Sequence, residues 1–180
     1  MSHTVIVYFS RAGENRTPAG KQVLRVGNTA RAAGMLEQMT GADAFKVEPA
    51  VPYAEDYDTC VRQALAQQQA GIRPALARWP TDELDGCRRM ILCYPNYCGT
   101  MPMPVWTFLS RYDWTGVTIL PLCTHEGDGL GRSEADLRTL APGADLRPGL
   151  AVQGSAVRGA AADIELWLLQ NGVEILPDGE

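Results

Sequence analysis

The sequence opens on a near-continuous run of apolar, β-branched and aromatic residues from Thr4 to Ser10 (TVIVYFS). A strand with one face in water alternates apolar and polar residues, whereas an unbroken run is typical of a strand covered on both faces. The run therefore predicts a central strand of a parallel sheet. Comparable runs follow at Ala44 to Glu48, Arg89 to Tyr94, Val117 to Cys123 and, more weakly, Gly149 to Val152.

Segments with helical spacing of apolar residues separate these five predicted strands. They are Thr29 to Met39, Tyr53 to Gln69, Pro102 to Tyr112, Ser133 to Leu140 and Ala160 to Gln170. Strands that alternate with helices favour right-handed βαβ crossovers, which place helices on both faces of a parallel sheet. We therefore predict a three-layer α/β fold with a five-stranded parallel sheet of order 2-1-3-4-5. Because proline cannot donate to a ladder, we expect a bulge at Pro121 in the fourth strand.

Composition limits the number of domains and the class of partner. The 180 residues fit a single domain over residues 1–180, since length divided by roughly 150 is a prior on the number of domains. A formal net charge of −5 argues against nucleic acid, whose binders need a cationic surface. No apolar run approaches the roughly 18 residues of a membrane span. Because Met1 to Thr4 also lack the pattern of a signal peptide, we expect a cytoplasmic protein.

The cysteines and histidines do not have the spacing of a metal site. The five cysteines form no CxxC pair, and Cys93 and Cys123 end apolar runs, where a thiol packs like a small hydrophobic group. The two histidines, His3 and His125, do not form an HExxH pattern. We therefore expect reduced thiols and no metal.

The loops at residues 10–29, 95–101 and 124–131 should form the ligand site. Ligands of such sheets bind beyond the carboxyl ends of the strands, where the strand order reverses. In the first loop, Ser10 and the helix start at Asn28 and Thr29 can present hydroxyl and N–H groups to a phosphate. The alternative is an ordinary flexible loop in which Asn28 or Thr29 only caps the helix.

The second and third loops suit a flat ligand. Tyr97 and Met101 can press on a ring, although a methionine beside a helix start is also typical of the core. The glycines after Thr124 can bring backbone close to a planar group. His125 is either a structural hydrogen-bonding residue or an acid–base group, since histidine titrates near neutral pH.

Taken together and in order, the segments SRAGEN, VGNT, YPNYCGTMP and CTHEGDGLG resemble the flavodoxin family, in the branch with an inserted phosphate loop. The resemblance covers residues 4 to 152 and implies non-covalently bound FMN. By this resemblance the phosphate would contact Ser10, Arg11, Ala12, Asn28 and Thr29, with Asn15 as a further candidate. The isoalloxazine would lie between two loops, one formed by Pro95, Asn96, Tyr97, Cys98, Gly99, Thr100 and Met101, the other by Thr124, His125, Glu126 and Gly127.

The resemblance implies a low-potential one-electron carrier between redox partner proteins, a reductase and an acceptor. No side chain need act as acid or base, so no catalytic residue is expected. Two alternatives remain: an FMN-dependent NAD(P)H oxidoreductase that reduces quinones or flavins, and a binding module that has lost FMN. Relatives commonly carry two tryptophans where this chain has Tyr97 and Cys98, so ring stacking should depend on Tyr97. The role of the insertion from Arg16 to Val26 is open.

Overall fold

A central parallel sheet with helices on both faces organises the chain, whose computed structural model describes residues 3–177. The strands are β1 (Thr4–Tyr8), β2 (Gly13–Thr17), β3 (Gly20–Leu24), β4 (Asp43–Lys46), β5 (Arg89–Pro95), β6 (Thr118–His125), β7 (Asp145–Leu146) and β8 (Leu150–Gln153). The α-helices are α1 (Asn28–Thr40), α2 (Tyr57–Ala70), α3 (Met103–Leu109), α4 (Ser133–Leu140) and α5 (Ala161–Gln170), and a short 3₁₀ helix covers Gly154–Gly159. None of the helices in residues 3–177 is long and apolar enough to cross a membrane.

The main sheet has the order β4-β1-β5-β6, with both β7 and β8 on the outer edge of β6. All of these pairs are parallel. The predicted three-layer α/β fold and its order 2-1-3-4-5 are therefore confirmed, with β8 as the predicted fifth strand and β7 as a short strand that was not predicted. Strands β2 and β3 were not predicted; they form a separate antiparallel hairpin that starts before the insertion at Arg16 to Val26 and includes most of it.

Pro121 does not break its own strand, β6. It lies opposite the gap between β7 and β8, the two short strands that pair with the outer edge of β6. The register between β5 and β6 is continuous past Pro121, so the bulge predicted there is wrong. The carbonyl groups of Val117 and Ile119 accept from the N–H groups of Asp145 and Arg147 at the outer edge. Because polar groups alternate in direction along a strand, the nitrogen of Pro121 faces this same edge, at the gap between β7 and β8. The missing N–H therefore costs no ladder bond.

Side chains of β1 pack on both faces of the sheet. Val5, Val7 and Phe9 belong to a cluster with residues of α3 and α4. Ile6 points to the other face and packs with residues of α1 and α5, among them Leu36. All four β1-segment side chains are at most 2% exposed, which confirms that the unbroken apolar run is a strand buried on both faces.

Two helix starts differ from the predictions in ways that shape the site. The α2 helix begins at Tyr57 because the Asp56 side chain accepts the N–H of Thr59 at 2.7 Å, a normal N-cap. The α1 helix has Gly27 at its N-cap, a residue without a capping side chain, and the Ser10 hydroxyl at the end of β1 accepts an N–H of its first turn instead. The prediction that Asn28 or Thr29 caps α1 is therefore wrong.

Candidate cofactor-binding site

A cleft of about 290 Å³ opens at the carboxyl edge of the sheet, between the loops that follow β1, β5 and β6. The strand order reverses here, since α1 leads from β1 to β4 on one side and α2 leads to β5 on the other, which is where such folds bind ligands. Most of the predicted contact residues line this cleft: Ser10, Arg11, Asn15, Asn28, Thr29, Pro95, Asn96, Tyr97, Cys98, Gly99, Thr124, His125 and Glu126.

Four predicted contact residues do not line the cleft: Ala12, Thr100, Met101 and Gly127. Ala12 is exposed, and Thr100 is buried with its hydroxyl bonded to the Asp136 carboxylate. Met101 is 1% exposed and belongs to the hydrophobic core. Of the two interpretations of Met101, the structure shows the core position, so its side chain does not reach a ligand in the cleft.

The start of α1 forms one end of the cleft. The Ser10 hydroxyl accepts the N–H of Ala30 at 3.0 Å, and Asn28 and Thr29 line the cleft beside it. The first N–H groups of a helix have no intrahelical partner and carry partial positive charge. The hydroxyls of Thr29 and Thr124 bond each other at 2.8 Å in a buried position, which joins the first loop to the third. This end of the cleft suits an anion.

Two glycines allow close packing around this end. A Cβ at Gly27 would lie 2.2 Å from the Ser10 Oγ and 2.7 Å from the carbonyl oxygen of Arg11. A Cβ at Gly154 would lie 2.5 Å from the Asn28 Nδ2. Because both positions are glycines, the end of β1 and the start of the 3₁₀ helix can pack directly against the start of α1.

Arg11 holds the inserted hairpin against the segment that precedes α2. Its Nε donates to the Ala54 carbonyl at 3.1 Å, and its Nη1 and Nη2 donate to the carbonyls of Glu14 at 2.8 Å and Glu55 at 2.7 Å. The Glu14 N–H also donates to Glu55. The guanidinium is thus engaged by three backbone carbonyls, which is a positioning role.

A strained turn forms another wall of the cleft. Tyr97 and Thr100 exchange backbone hydrogen bonds at 2.8 and 3.2 Å, while Cys98 and Gly99 between them have φ of 52° and 87°. Positive φ at both central positions is the type I′ geometry. Cys98 is the one non-glycine residue with positive φ in residues 3–177, a conformation that costs about 1–2 kcal/mol for an L-residue.

Side chains on both sides hold this turn. The Asn96 Oδ1 accepts the N–H of Gly99 at 2.9 Å, and the Nη1 of Arg132 donates to the carbonyl of Cys98 at 3.3 Å. The Arg132 N–H also donates to the carbonyl of Gly99 at 2.8 Å. Because strained backbone persists only where its surroundings hold it, these bonds explain how Cys98 keeps its conformation.

Tyr97 is anchored by the core as well as lining the cleft. Its ring meets Phe9 and Tyr53 edge-to-face, at centroid distances of 5.6 and 5.8 Å. The Cys60 Sγ lies 3.9 Å from its hydroxyl. Burial raises the pKa of Tyr97 well above its usual value, so the phenol is neutral at physiological pH. The ring is thus half-buried and lines the cleft at the same time.

Two thiols line the cleft without the character of nucleophiles. Cys60 and Cys98 are both unpaired, and burial raises the pKa of each thiol. A raised pKa keeps a thiol protonated and unreactive near neutral pH. Among residues 3–177, no group of three or more His, Cys, Asp or Glu side chains is arranged to hold a metal.

Seven cleft residues were not singled out from the sequence as site residues: Arg16, Tyr57, Cys60, Val61, Ala64, Asp128 and Gly154. Four of them share one face of α2, and their spacing was visible only as the periodicity of a helix. Helical periodicity alone does not separate a face that covers the core from one that covers a cleft. Gly154 follows β8 and carries no local signal, because only the sheet brings it beside α1.

Comparison with known proteins agrees with this geometry. A family model for flavodoxin matches residues 22–170, whereas no curated protein sequence matches the chain significantly. A proposed flavoprotein from Bacteroides uniformis ATCC 8492 has 21% identity and a TM-score of 0.70 over 91% of this chain and 98% of its own. A proposed flavoprotein from Bacteroides eggerthii DSM 20697 has 23% identity and a TM-score of 0.67 over 92% of this chain and 99% of its own.

A flavoprotein from Lactobacillus acidophilus NCFM, solved in complex with FMN, has 18% identity and a TM-score of 0.63 over 88% of this chain and 98% of its own. At such identities the structural likeness establishes the fold, while the family model covers most of the chain. This chain belongs to the flavodoxin family.

Proposed function

We propose that this protein binds FMN non-covalently and passes electrons one at a time between redox partner proteins. One observation carries the proposal: the start of α1 and a strained turn lie in a single cleft at the switch point of the sheet. The first suits a phosphate and the second suits the edge of a planar ring. Membership of the flavodoxin family and the FMN complex of the Lactobacillus acidophilus flavoprotein support the same ligand.

The chain's own groups fit FMN. The phosphate would be held at the start of α1, where the N–H groups of Asn28 and Thr29 and the Ser10 hydroxyl are neutral donors, with Arg11 and Asn15 beside them in the cleft. The ring would be held between the two loops that follow β5 and β6, where Tyr97, Gly99 and Glu126 are among the cleft residues.

Bound FMN supplies the electron chemistry, while the protein supplies orientation and electrostatics. The Tyr97 ring excludes water from one side of the cleft. His125 accepts the N–H of Gly127 on its Nδ1 at 2.9 Å, so neutral His125 carries its proton on Nε2. Glu126 and Asp128 also line the cleft, and their negative charge disfavours any further negative charge on the ligand. By Coulomb's law these carboxylates would lower the potential at which bound FMN accepts a second electron.

The partner proteins in this proposal are basic proteins that dock over the cleft. The protein has a formal net charge of −5, and the carboxylates of Glu55, Asp56 and Asp58 lie at the start of α2 beside the hairpin. Acidic surfaces speed encounter with basic partners, and the effect weakens with salt. Electron transfer to a basic acceptor should therefore slow as ionic strength rises.

An absorption spectrum followed by stepwise reduction tests the proposal. The purified protein should be yellow, and dithionite should produce a long-wavelength band that rises and then falls as two electrons enter separately. Direct bleaching without this band would refute the one-electron role. Rapid bleaching by NADPH alone would instead indicate an FMN-dependent NAD(P)H oxidoreductase. A colourless protein that fails to bind added FMN would refute the cofactor assignment.

A further inference from the structure

The cleft contains two arginines, and only one of them is free to meet a ligand. The Arg11 guanidinium donates hydrogen bonds to three backbone carbonyls. Arg16, on strand β2 of the inserted hairpin, lines the same cleft and is exposed. Among residues 3–177, no hydrogen bond or ion pair to the Arg16 side chain is formed. Arg11, which the family resemblance assigns to the phosphate, is therefore engaged by the protein itself. Arg16 on the hairpin is a second arginine that is free to bind a ligand.

The hairpin is held in place by contacts that leave Arg16 out. The Glu14 carboxylate accepts the N–H of Tyr57 at 3.1 Å. The Lys21 ammonium pairs with Asp58 at 2.5 Å and lies 3.9 Å from Glu14. These contacts join both strands of the hairpin to the start of α2, so the position of Arg16 beside the cleft is set by the fold.

Charge along the hairpin also points to an anionic ligand. Arg16 and Lys21 are directly opposite in the antiparallel register, and like charges at such positions disfavour the pairing. Lys21 is compensated by two carboxylates. Arg16 has no such compensation among the described residues, and the cleft that it lines is also lined by the start of α1, the positive end of that helix. An anion in the cleft would compensate both.

We infer that Arg16 binds the phosphate of FMN, and that the inserted hairpin thereby selects phosphorylated over unphosphorylated flavin. This inference rests on the proposed function and assigns a role to the insertion. A guanidinium presents paired N–H donors that match phosphate oxygens, which adds charge to a site otherwise made of neutral donors. Arg16 precedes residues 22–170, the segment that the family model matches, so the assignment comes from the structure of this chain and not from that match.

Flavin binding to the apoprotein tests the role of Arg16. The dissociation constants of FMN and riboflavin are measured by quenching of flavin fluorescence, for the wild type and for Arg16→Gln. We expect the variant to bind FMN roughly tenfold to a hundredfold more weakly, the usual effect of losing a charge-assisted hydrogen bond. Its affinity for riboflavin, which lacks the phosphate, should be unchanged. The salt dependence of FMN binding should also be weaker than in the wild type.

Two variants separate this role from others. Arg25→Gln removes a charge from the same insertion at an exposed position outside the cleft, and FMN affinity should stay that of the wild type. Arg11→Gln removes three contacts that position the hairpin, and both flavins should bind more weakly. Unchanged FMN affinity in Arg16→Gln, or equal weakening of FMN and riboflavin, would overturn the inference. Failure of the wild type to bind either flavin would refute the proposed function and this inference with it.

Discussion

Replacement of Gly27 by alanine should open the phosphate end of the cleft. The backbone at Gly27 has φ of −64°, which any residue adopts, so only space is at issue. The new Cβ would lie 2.2 Å from the Ser10 Oγ and 2.7 Å from the Arg11 carbonyl oxygen. Ser10 can rotate away only by giving up its bond to the Ala30 N–H, worth about 0.5–1.5 kcal/mol. The Arg11 backbone cannot rotate away, and overpacking of this kind costs about 1–3 kcal/mol.

Gly27→Ala should therefore lower the free energy of unfolding by about 1.5–4.5 kcal/mol, measured on the apoprotein by urea unfolding with linear extrapolation. The FMN dissociation constant should rise in parallel. Gly34→Ala is the matched control on the same helix, where a Cβ meets nothing within 4 Å. It should stabilise the protein by about 0.5–1 kcal/mol, since glycine inside a helix is unfavourable. The reasoning is refuted if the two variants are equally stable.

Three further substitutions test the packing around the cleft and one helix cap. Tyr97→Ala removes a ring held edge-on by two core aromatics, so urea unfolding should show a loss of roughly 2–4 kcal/mol; unchanged stability would contradict this packing. Gly154→Ala places a Cβ 2.5 Å from the Asn28 Nδ2 and so displaces the Asn28 side chain. Fluorescence titration should therefore show weaker FMN binding, and an unchanged FMN affinity would show that binding does not depend on the position of Asn28. The hydrogen bond from Thr59 lowers the pKa of Asp56 in the folded protein. Ionised Asp56 therefore stabilises the fold fully at pH values above the ordinary pKa of an aspartate, and this stabilisation is lost as the pH falls through the lowered pKa. The melting temperature of Asp56→Ala should therefore be lower than that of the wild type at neutral pH and equal to it in strong acid. The same difference in melting temperature at both pH values would contradict the role of Asp56 as a helix cap.

The sequence was sufficient for the main strands and helices and for their order, but not for the hairpin β2–β3 or the short strand β7. The unbroken apolar run at Thr4 to Ser10 has a local cause, because a strand covered on both faces needs apolar residues at every position. The alternation of strand and helix then restricts the topology, since crossovers are right-handed and connections are short. The loops that would meet at the carboxyl edge follow from the same rule. Most of the predicted contact residues do line one cleft there.

Contacts between distant segments were decided only by the tertiary structure. The type of residue at Arg11 suits a phosphate, but three carbonyls from residues 14, 54 and 55 engage it, and no local pattern records them. Met101 lies beside cleft residues in sequence and yet in the core in space. Arg16 reaches the cleft because the hairpin is tied to α2. The role of a side chain depends on which groups surround it in the folded protein, and packing between distant segments determines those neighbours.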